Sequence, residues 1–140
     1  MVRPEREYVT PHALTTAEVK VVIEDYRLAS LAAKEAGFDG VEVHGANGYL
    51  PHQFLSLESN TRDDEYGGNL ENRARFMLEA VDAAISVWGA DRVGLHISPQ
   101  YTDGGVFAGQ SQTMSTSCIK SLPAISLLFA VVSRGNQMPG

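Results

Sequence analysis

Residues 40–50 read Gly40-Val41-Glu42-Val43-His44-Gly45-Ala46-Asn47-Gly48-Tyr49-Leu50. The Val-rich first half predicts a short, buried parallel strand that ends at His44. An amide, Asn47, and a phenol, Tyr49, follow the histidine closely. The strand end therefore offers two hydrogen-bond donors and one group able to give a proton to carbon. Such a set suits the binding of an electron-withdrawing oxygen and the protonation of a neighbouring carbon.

Two amphipathic helices flank this strand in the sequence. Residues 15–36 carry apolar side chains at helical spacing, begin with a capping-box sequence and end before Gly37. Asn69 is placed to cap a second helix over residues 70–88, and Gly89 is placed to end it. Both helices therefore have apolar faces ready to cover a sheet.

The remaining elements complete a βα repeat. Residues 45–68 form a connection that is too long to serve only as a link, so we expect it to be functional or to be ordered by something that it covers. A second short strand is predicted at residues 93–98, with Pro99 closing it. The order helix, strand, long loop, helix, strand favours an α/β fold with parallel strands and right-handed crossovers. In such folds the chemistry lies at the carboxyl ends of the strands.

A second informative stretch follows the strand end, SNTRDDEYGGNLENRARF at residues 59–76. Together with residues 38–50 it resembles the old yellow enzyme family of FMN-dependent ene-reductases. The resemblance covers residues 8–99. It implies a (β/α)8 TIM barrel, and such barrels typically need ~250 residues. We therefore expect an α/β chain that forms about half of a barrel.

The domain organisation follows from where the resemblance ends. Residues 1–103 are expected to form the partial TIM-barrel FMN-oxidoreductase domain. Residues 104–140 contain no acidic residue and show weak helix periodicity. We interpret them as a diverged or frame-shifted low-charge tail, with a small independent extension as the alternative.

The resemblance also implies an activity and residue roles. FMN would deliver a hydride to an activated C=C bond of an α,β-unsaturated carbonyl or nitro compound, with NAD(P)H as reductant. His44 and Asn47 match the family's donors to the substrate oxygen, and Tyr49 matches its proton donor. A phenol suits that role because it is protonated at neutral pH.

His96 departs from the family's pattern. The family usually has an arginine at this strand end, near the flavin pyrimidine, whereas this chain reads Gly94-Leu95-His96-Ile97-Ser98-Pro99. Histidine is only partly charged near neutral pH and lacks the guanidinium fork. We therefore place His96 as the cofactor-binding residue, with altered tuning of the flavin.

Composition narrows the partners and the compartment. A net charge of −6 over 140 residues argues against nucleic acid and anionic membrane surfaces. The single cysteine, Cys118, predicts a reducing, cytoplasmic compartment. No secretory signal is visible at the amino terminus, and the apolar run 122–132 is too short to span a bilayer. The expected partners are a small activated alkene and, for assembly, a second copy or a complementary half-barrel.

Two other classes of protein remain open at this stage. One is a non-catalytic truncated fragment that lacks the FMN phosphate site. On the ene-reductase interpretation as well, we expect the chain alone to be inactive and to bind FMN weakly because it is truncated. The other is a different TIM-barrel enzyme that uses His44 as a base. The acidic run after Arg62 could suggest a metal site, but we expect none, because Arg62 is placed to pair with these acids.

Overall fold

The computed structural model describes residues 10–100 and 130–134 of the chain, with side chains described for residues 10–97. Its elements, in chain order, are α1 (Thr16–Glu35), β1 (Val41–Gly45), α2 (Leu50–Leu55), α3 (Leu70–Trp88), a 3-10 turn (Ala90–Arg92), β2 (Val93–Gln100) and β3 (Ala130–Arg134). The three strands form one parallel sheet in the order β1-β2-β3. The expected α/β architecture with parallel strands is therefore confirmed.

Helix α1 begins and ends as its sequence predicts. The Thr15 side chain accepts from the Glu18 amide, and the Glu18 carboxylate accepts from the Thr15 amide at 2.7 Å. These hydrogen bonds from the Thr15 backbone and side chain, followed by one from His12, lower the pKa of Glu18 to about 2. Gly37 ends the helix with a φ of 86°, a left-handed conformation that favours glycine.

Helix α3 supplies most of the core. Asn69 caps it by accepting from the Asn72 amide at 2.9 Å, and Gly89 ends it with a φ of 80°. Its inward face is fully or nearly buried, and comprises Phe76, Met77, Ala80, Val81, Ala84 and Trp88. The Trp88 indole donates to the Ser30 carbonyl of α1 at 3.0 Å. This bond joins the two long helices at their ends.

The sheet has one covered and one uncovered face. Val43, Leu95 and Ile97 are buried in the core cluster that α3 completes. Because side chains alternate along a strand, Glu42, His44 and His96 lie on the opposite face, which the described helices do not cover. The polar residues of both strands therefore share one surface.

Two predicted boundaries were wrong. The connection 45–68 contains a helix, α2, because Pro51, Phe54 and Leu55 bury apolar surface that the polar composition of the loop conceals. Strand β2 continues past Pro99 to Gln100. The β2–β3 register shifts between Ile97 and Gln100, and such an irregularity is where a strand tolerates a residue without an amide donor.

The segment 104–140 lies mostly outside the described residues. The described part, Ala130–Arg134, pairs in parallel with β2, with Val131 opposite His96. The proposed domain boundary near residue 103 lies outside the described residues and stays a prediction. Among the residues that the structure describes, no helix has the length and apolar character needed to cross a membrane.

Candidate active site

The carboxyl end of β1 turns sharply into α2. The Tyr49 amide donates to the Ala46 carbonyl at 3.1 Å, closing the turn. Its two central residues, Asn47 and Gly48, have φ values of 54° and 78°. Asparagine and glycine are the residues that accept this left-handed conformation most readily. The Asn-Gly pair is thus explained by the turn, which brings Asn47 and Tyr49 to the end of the strand.

His44 lies at the centre of a row of three rings. Its ring centroid is 4.8 Å from that of Tyr49 and 5.1 Å from that of His96, and both contacts are edge-to-face. His44 is half-buried, whereas 62% of Tyr49 is exposed. The sequence-predicted residues of β1 and β2 are therefore brought together on the uncovered face of the sheet, with the phenol at the open end of the row.

His96 has one paired and one unpaired ring nitrogen. Its Nδ1 lies 3.6 Å from a carboxylate oxygen of Glu42, the acidic residue on the same face of β1. Its Nε2 is buried and has no hydrogen-bond partner among the described residues. Because a buried ring nitrogen without a partner is costly, this atom indicates a place for a ligand atom.

Residues 60–68 are held in place by side-chain hydrogen bonds. Arg62 binds the Asp64 carboxylate through both Nε and Nη2, and its Nη1 donates to the Leu14 carbonyl. The Asn60 amide donates to the carbonyls of Phe54 and Tyr66. The expected pairing of Arg62 with a local acid is confirmed. Among the described residues, no group of three metal-ligating side chains is assembled.

Two buried polar residues received no functional role from the sequence. His52, which is 2% exposed, accepts the Gly48 amide through Nδ1 at 3.0 Å. Arg73, which is 5% exposed, donates to the backbone carbonyls of Leu55 and Gly68. Both contacts hold backbone around α2. For both residues, the sequence offers only one sign of such a role, which is a polar residue among apolar ones.

A cleft of about 270 Å³ lies away from the ring row. It runs between residues 11–14 and the segment from α2 to Arg62, and its walls include Leu14, Leu50 and Phe54. The rings of His44, Tyr49 and His96 do not line it. The ring row is therefore an open surface of this part of the chain.

The site joins a parallel α/β sheet to polar residues at adjacent strand ends, as in many cofactor-dependent enzymes. The chain belongs to the NADH:flavin oxidoreductase / NADH oxidase family, because the model of that family matches residues 2–130. The family resemblance over residues 8–99 is thus confirmed, and the match extends beyond it at both ends.

Individual relatives agree with this assignment. Putative 12-oxophytodienoate reductase 5 of Oryza sativa subsp. japonica is 54% identical over 92 residues, which are 66% of this chain and 25% of that protein. The probable flavin mononucleotide-dependent alkene reductase of Leishmania infantum is 44% identical over 129 residues, 92% of this chain and 35% of that protein. The chain spans about a quarter to a third of the length of these relatives.

Among solved structures, the chain is similar to morphinone reductase in complex with tetrahydroNAD. The TM-score is 0.64 and the identity 56%, over 65% of this chain and 25% of that chain. At this identity the likeness extends to the sequence as well as to the fold.

Proposed function

We propose that this chain carries the substrate-side catalytic residues of an FMN-dependent, NAD(P)H-consuming ene-reductase. Its substrates would be small α,β-unsaturated carbonyl or nitro compounds. The observation that carries the proposal is the ring row, in which His44 lies within edge-to-face contact of both Tyr49 and His96. The family and the reductase names of the relatives support the same activity.

The fold proposed for the whole protein is a (β/α)8 barrel, of which this chain forms a part rather than the expected half, since it spans about a quarter to a third of the relatives' length. Parallel strands with helices on one face support it, since the other face of such a sheet is the barrel interior. Within the described residues, β1 pairs on one side only. We infer that a complementary half-barrel, or a second copy of the chain, covers the open edge.

The residues present fit a bound flavin. The buried Nε2 of His96 has no hydrogen-bond partner among the described residues. It can donate a hydrogen bond to a polar ligand atom or accept one from it, and the FMN ring offers such atoms. Glu42 lies beside the opposite ring nitrogen, Nδ1, at 3.6 Å. His96 would hold the flavin, and FMN when bound supplies the hydride that the alkene receives.

The residues of β1 and its turn would serve the substrate. His44 and Asn47 would donate hydrogen bonds to its carbonyl or nitro oxygen, where negative charge builds up during reduction. Each such donor is worth roughly 10²–10³ in rate. Tyr49 would give its phenolic proton to the α-carbon, a contribution of roughly 10²–10⁴. Its exposure at the open end of the row leaves room for a substrate beside it.

Tyr49→Phe tests the proposal in the complete, FMN-loaded barrel that contains this chain. Alkene reduction should slow by about a hundredfold or more, because it requires protonation of carbon. Reduction of the flavin by the nicotinamide should change little, because it requires no such proton. Stopped-flow absorbance measures both half-reactions separately.

A matched control removes another hydroxyl away from the strand end. Tyr26→Phe keeps the ring of α1 that packs edge-to-face on Phe76, with centroids 6.1 Å apart. It should leave both half-reactions unchanged. Equal losses in the two half-reactions of Tyr49→Phe would overturn the assignment of Tyr49.

A cytoplasmic location is part of this proposal and rests on the single cysteine.

A further inference from the structure

The backbone of Gly48 is held both at its amide and at its carbonyl. The Gly48 amide donates to His52 Nδ1 at 3.0 Å, and the Gly48 carbonyl accepts from the Gln53 side chain at 2.7 Å. Gly48 lies directly between Asn47 and Tyr49. Both clamping residues lie in α2, the helix that begins immediately after Tyr49. The first turn of α2 therefore fixes the loop that leads into it.

The contact of His52 specifies a protonation state. Because Nδ1 accepts from an amide, its lone pair is free of a proton and the neutral ring carries hydrogen on Nε2. Protonation of Nδ1 would set one N–H group against another and break the contact. The ring is 2% exposed, so water does not readily replace the lost acceptor.

Among the described residues, two arginines contact α2 from the elements packed against it. From α3, Arg73 donates to the Leu55 carbonyl at 2.9 Å, and from the following loop Arg62 lies over the Phe54 ring, 5.6 Å from its centroid. From β1, the titratable groups are His44 and Glu42, on the face of the sheet that the described helices leave open. Helix α2, which carries His52, is thus held by α3 and by the following loop.

We propose that His52 is a positioning residue, which holds Asn47 and Tyr49 at the substrate by accepting the Gly48 amide on Nδ1. The inference rests on the proposed function, in which Asn47 and Tyr49 act on the substrate. Small displacements matter there, because a shift of about 1 Å in a catalytic group can cost on the order of 10² in rate.

Three variants in the FMN-loaded protein test this role. His52→Ala removes the acceptor and should slow alkene reduction about tenfold or more at pH 7. His52→Asn places Oδ1 where Nδ1 was, so it should restore the rate to within about threefold. Gln53→Ala releases the Gly48 carbonyl from an exposed position, so it leaves no cavity and should give a smaller loss.

Rescue by asparagine separates positioning from mere structural support, because asparagine restores the hydrogen-bond acceptor without restoring the ring. His12→Asn is the matched control, because His12 is exposed and contacts Glu18. It should leave alkene reduction unchanged.

Hydrogen exchange of the peptide covering residues 46–52, followed by mass spectrometry, gives a readout that needs no turnover. Exchange should be faster in His52→Ala and Gln53→Ala and close to wild type in His52→Asn. Unchanged exchange in His52→Ala, or an Asn variant as impaired as the Ala variant at equal thermal stability, would overturn the proposal. Absence of alkene reduction in the wild type would instead count against the proposed function and leave the exchange result to decide the role of His52.

Discussion

His44 on β1 and His96 on β2 are directly opposite each other in the parallel sheet, with ring centroids 5.1 Å apart. The arrangement joins the proposed substrate site to the proposed flavin site by a single ring contact. The His96 imidazole lies beside both Glu42 and His44, and its buried Nε2 has no hydrogen-bond partner among the described residues.

The first prediction concerns the charge at position 96. His96→Arg supplies a guanidinium, whose planar fork of donors and permanent positive charge the imidazole lacks. FMN should therefore bind the variant more tightly than the wild type, by roughly threefold or more. Titration by flavin fluorescence measures both, with His12→Arg as a control for charge at a remote, exposed site. An affinity for FMN that is equal in all three proteins would contradict a flavin contact by His96.

Asn47 allows backbone strain to be separated from chemistry. Its φ of 54° suits asparagine or glycine, whereas alanine in this conformation costs about 1 kcal/mol. The unfolding free energy of Asn47→Ala, measured by urea unfolding, should therefore be about 1 kcal/mol lower than that of Asn47→Gly. Both variants lose the amide, so both should slow alkene reduction by roughly 10²–10³. A rate loss confined to the alanine variant would show that Asn47 serves the turn alone.

The two glycines before α3 should respond very differently to the same substitution. A Cβ on Gly67 would lie 2.0 Å from the Arg62 carbonyl oxygen, which belongs to backbone and cannot move aside cheaply. Gly67→Ala should cost about 3 kcal/mol or more in unfolding free energy. Gly68 has a φ of 79° and open space around its Cα, so Gly68→Ala should cost only about 1 kcal/mol. Urea unfolding followed by circular dichroism compares them, and equal losses would contradict the close approach.

The long elements were predictable because their signals are local. A capping threonine or asparagine, an apolar period and a terminal glycine define α1 and α3, and each of these acts within one or two helical turns. The meeting of His44 with His96 was also within reach, since the carboxyl ends of parallel strands lie at one edge. These features could therefore be predicted from the sequence by local capping and periodicity signals and by the known geometry of parallel strands.

Other features depend on contacts between distant parts of the chain. Helix α2 is too short for a clear period and is held by burial of Phe54 and Leu55 against the rest of the fold. The extension of β2 past Pro99 requires a partner strand, β3, which begins at Ala130. The role of His52 requires the left-handed turn before it, because only that turn aims the Gly48 amide at the ring.

The carboxylate of Asp64 connects residues 60–68 to helix α1 by hydrogen bonds. It accepts from the Arg62 guanidinium, from the Tyr66 amide at 3.0 Å and from the Thr16 hydroxyl at 2.9 Å. The charge-assisted bond from Arg62, followed by these two donors, holds the pKa of Asp64 well below its ordinary value of 3.8. The folded chain therefore binds a proton on Asp64 less readily than the unfolded chain.

This asymmetry predicts how stability depends on pH. The contribution of Asp64 is fully present above pH values near 3.8 and is lost as the pH falls through the lower pKa of the folded chain, because the unfolded chain takes up the proton first. Asp64→Asn should lower the unfolding free energy by about 2 kcal/mol at pH 7 and pH 5. The gap between wild type and variant should narrow at pH 3. Urea unfolding at the three pH values measures it, with the exposed neighbour Asp63→Asn as control, and a gap that widens on acidification would show that Asp64 does not stabilise the fold through its charge.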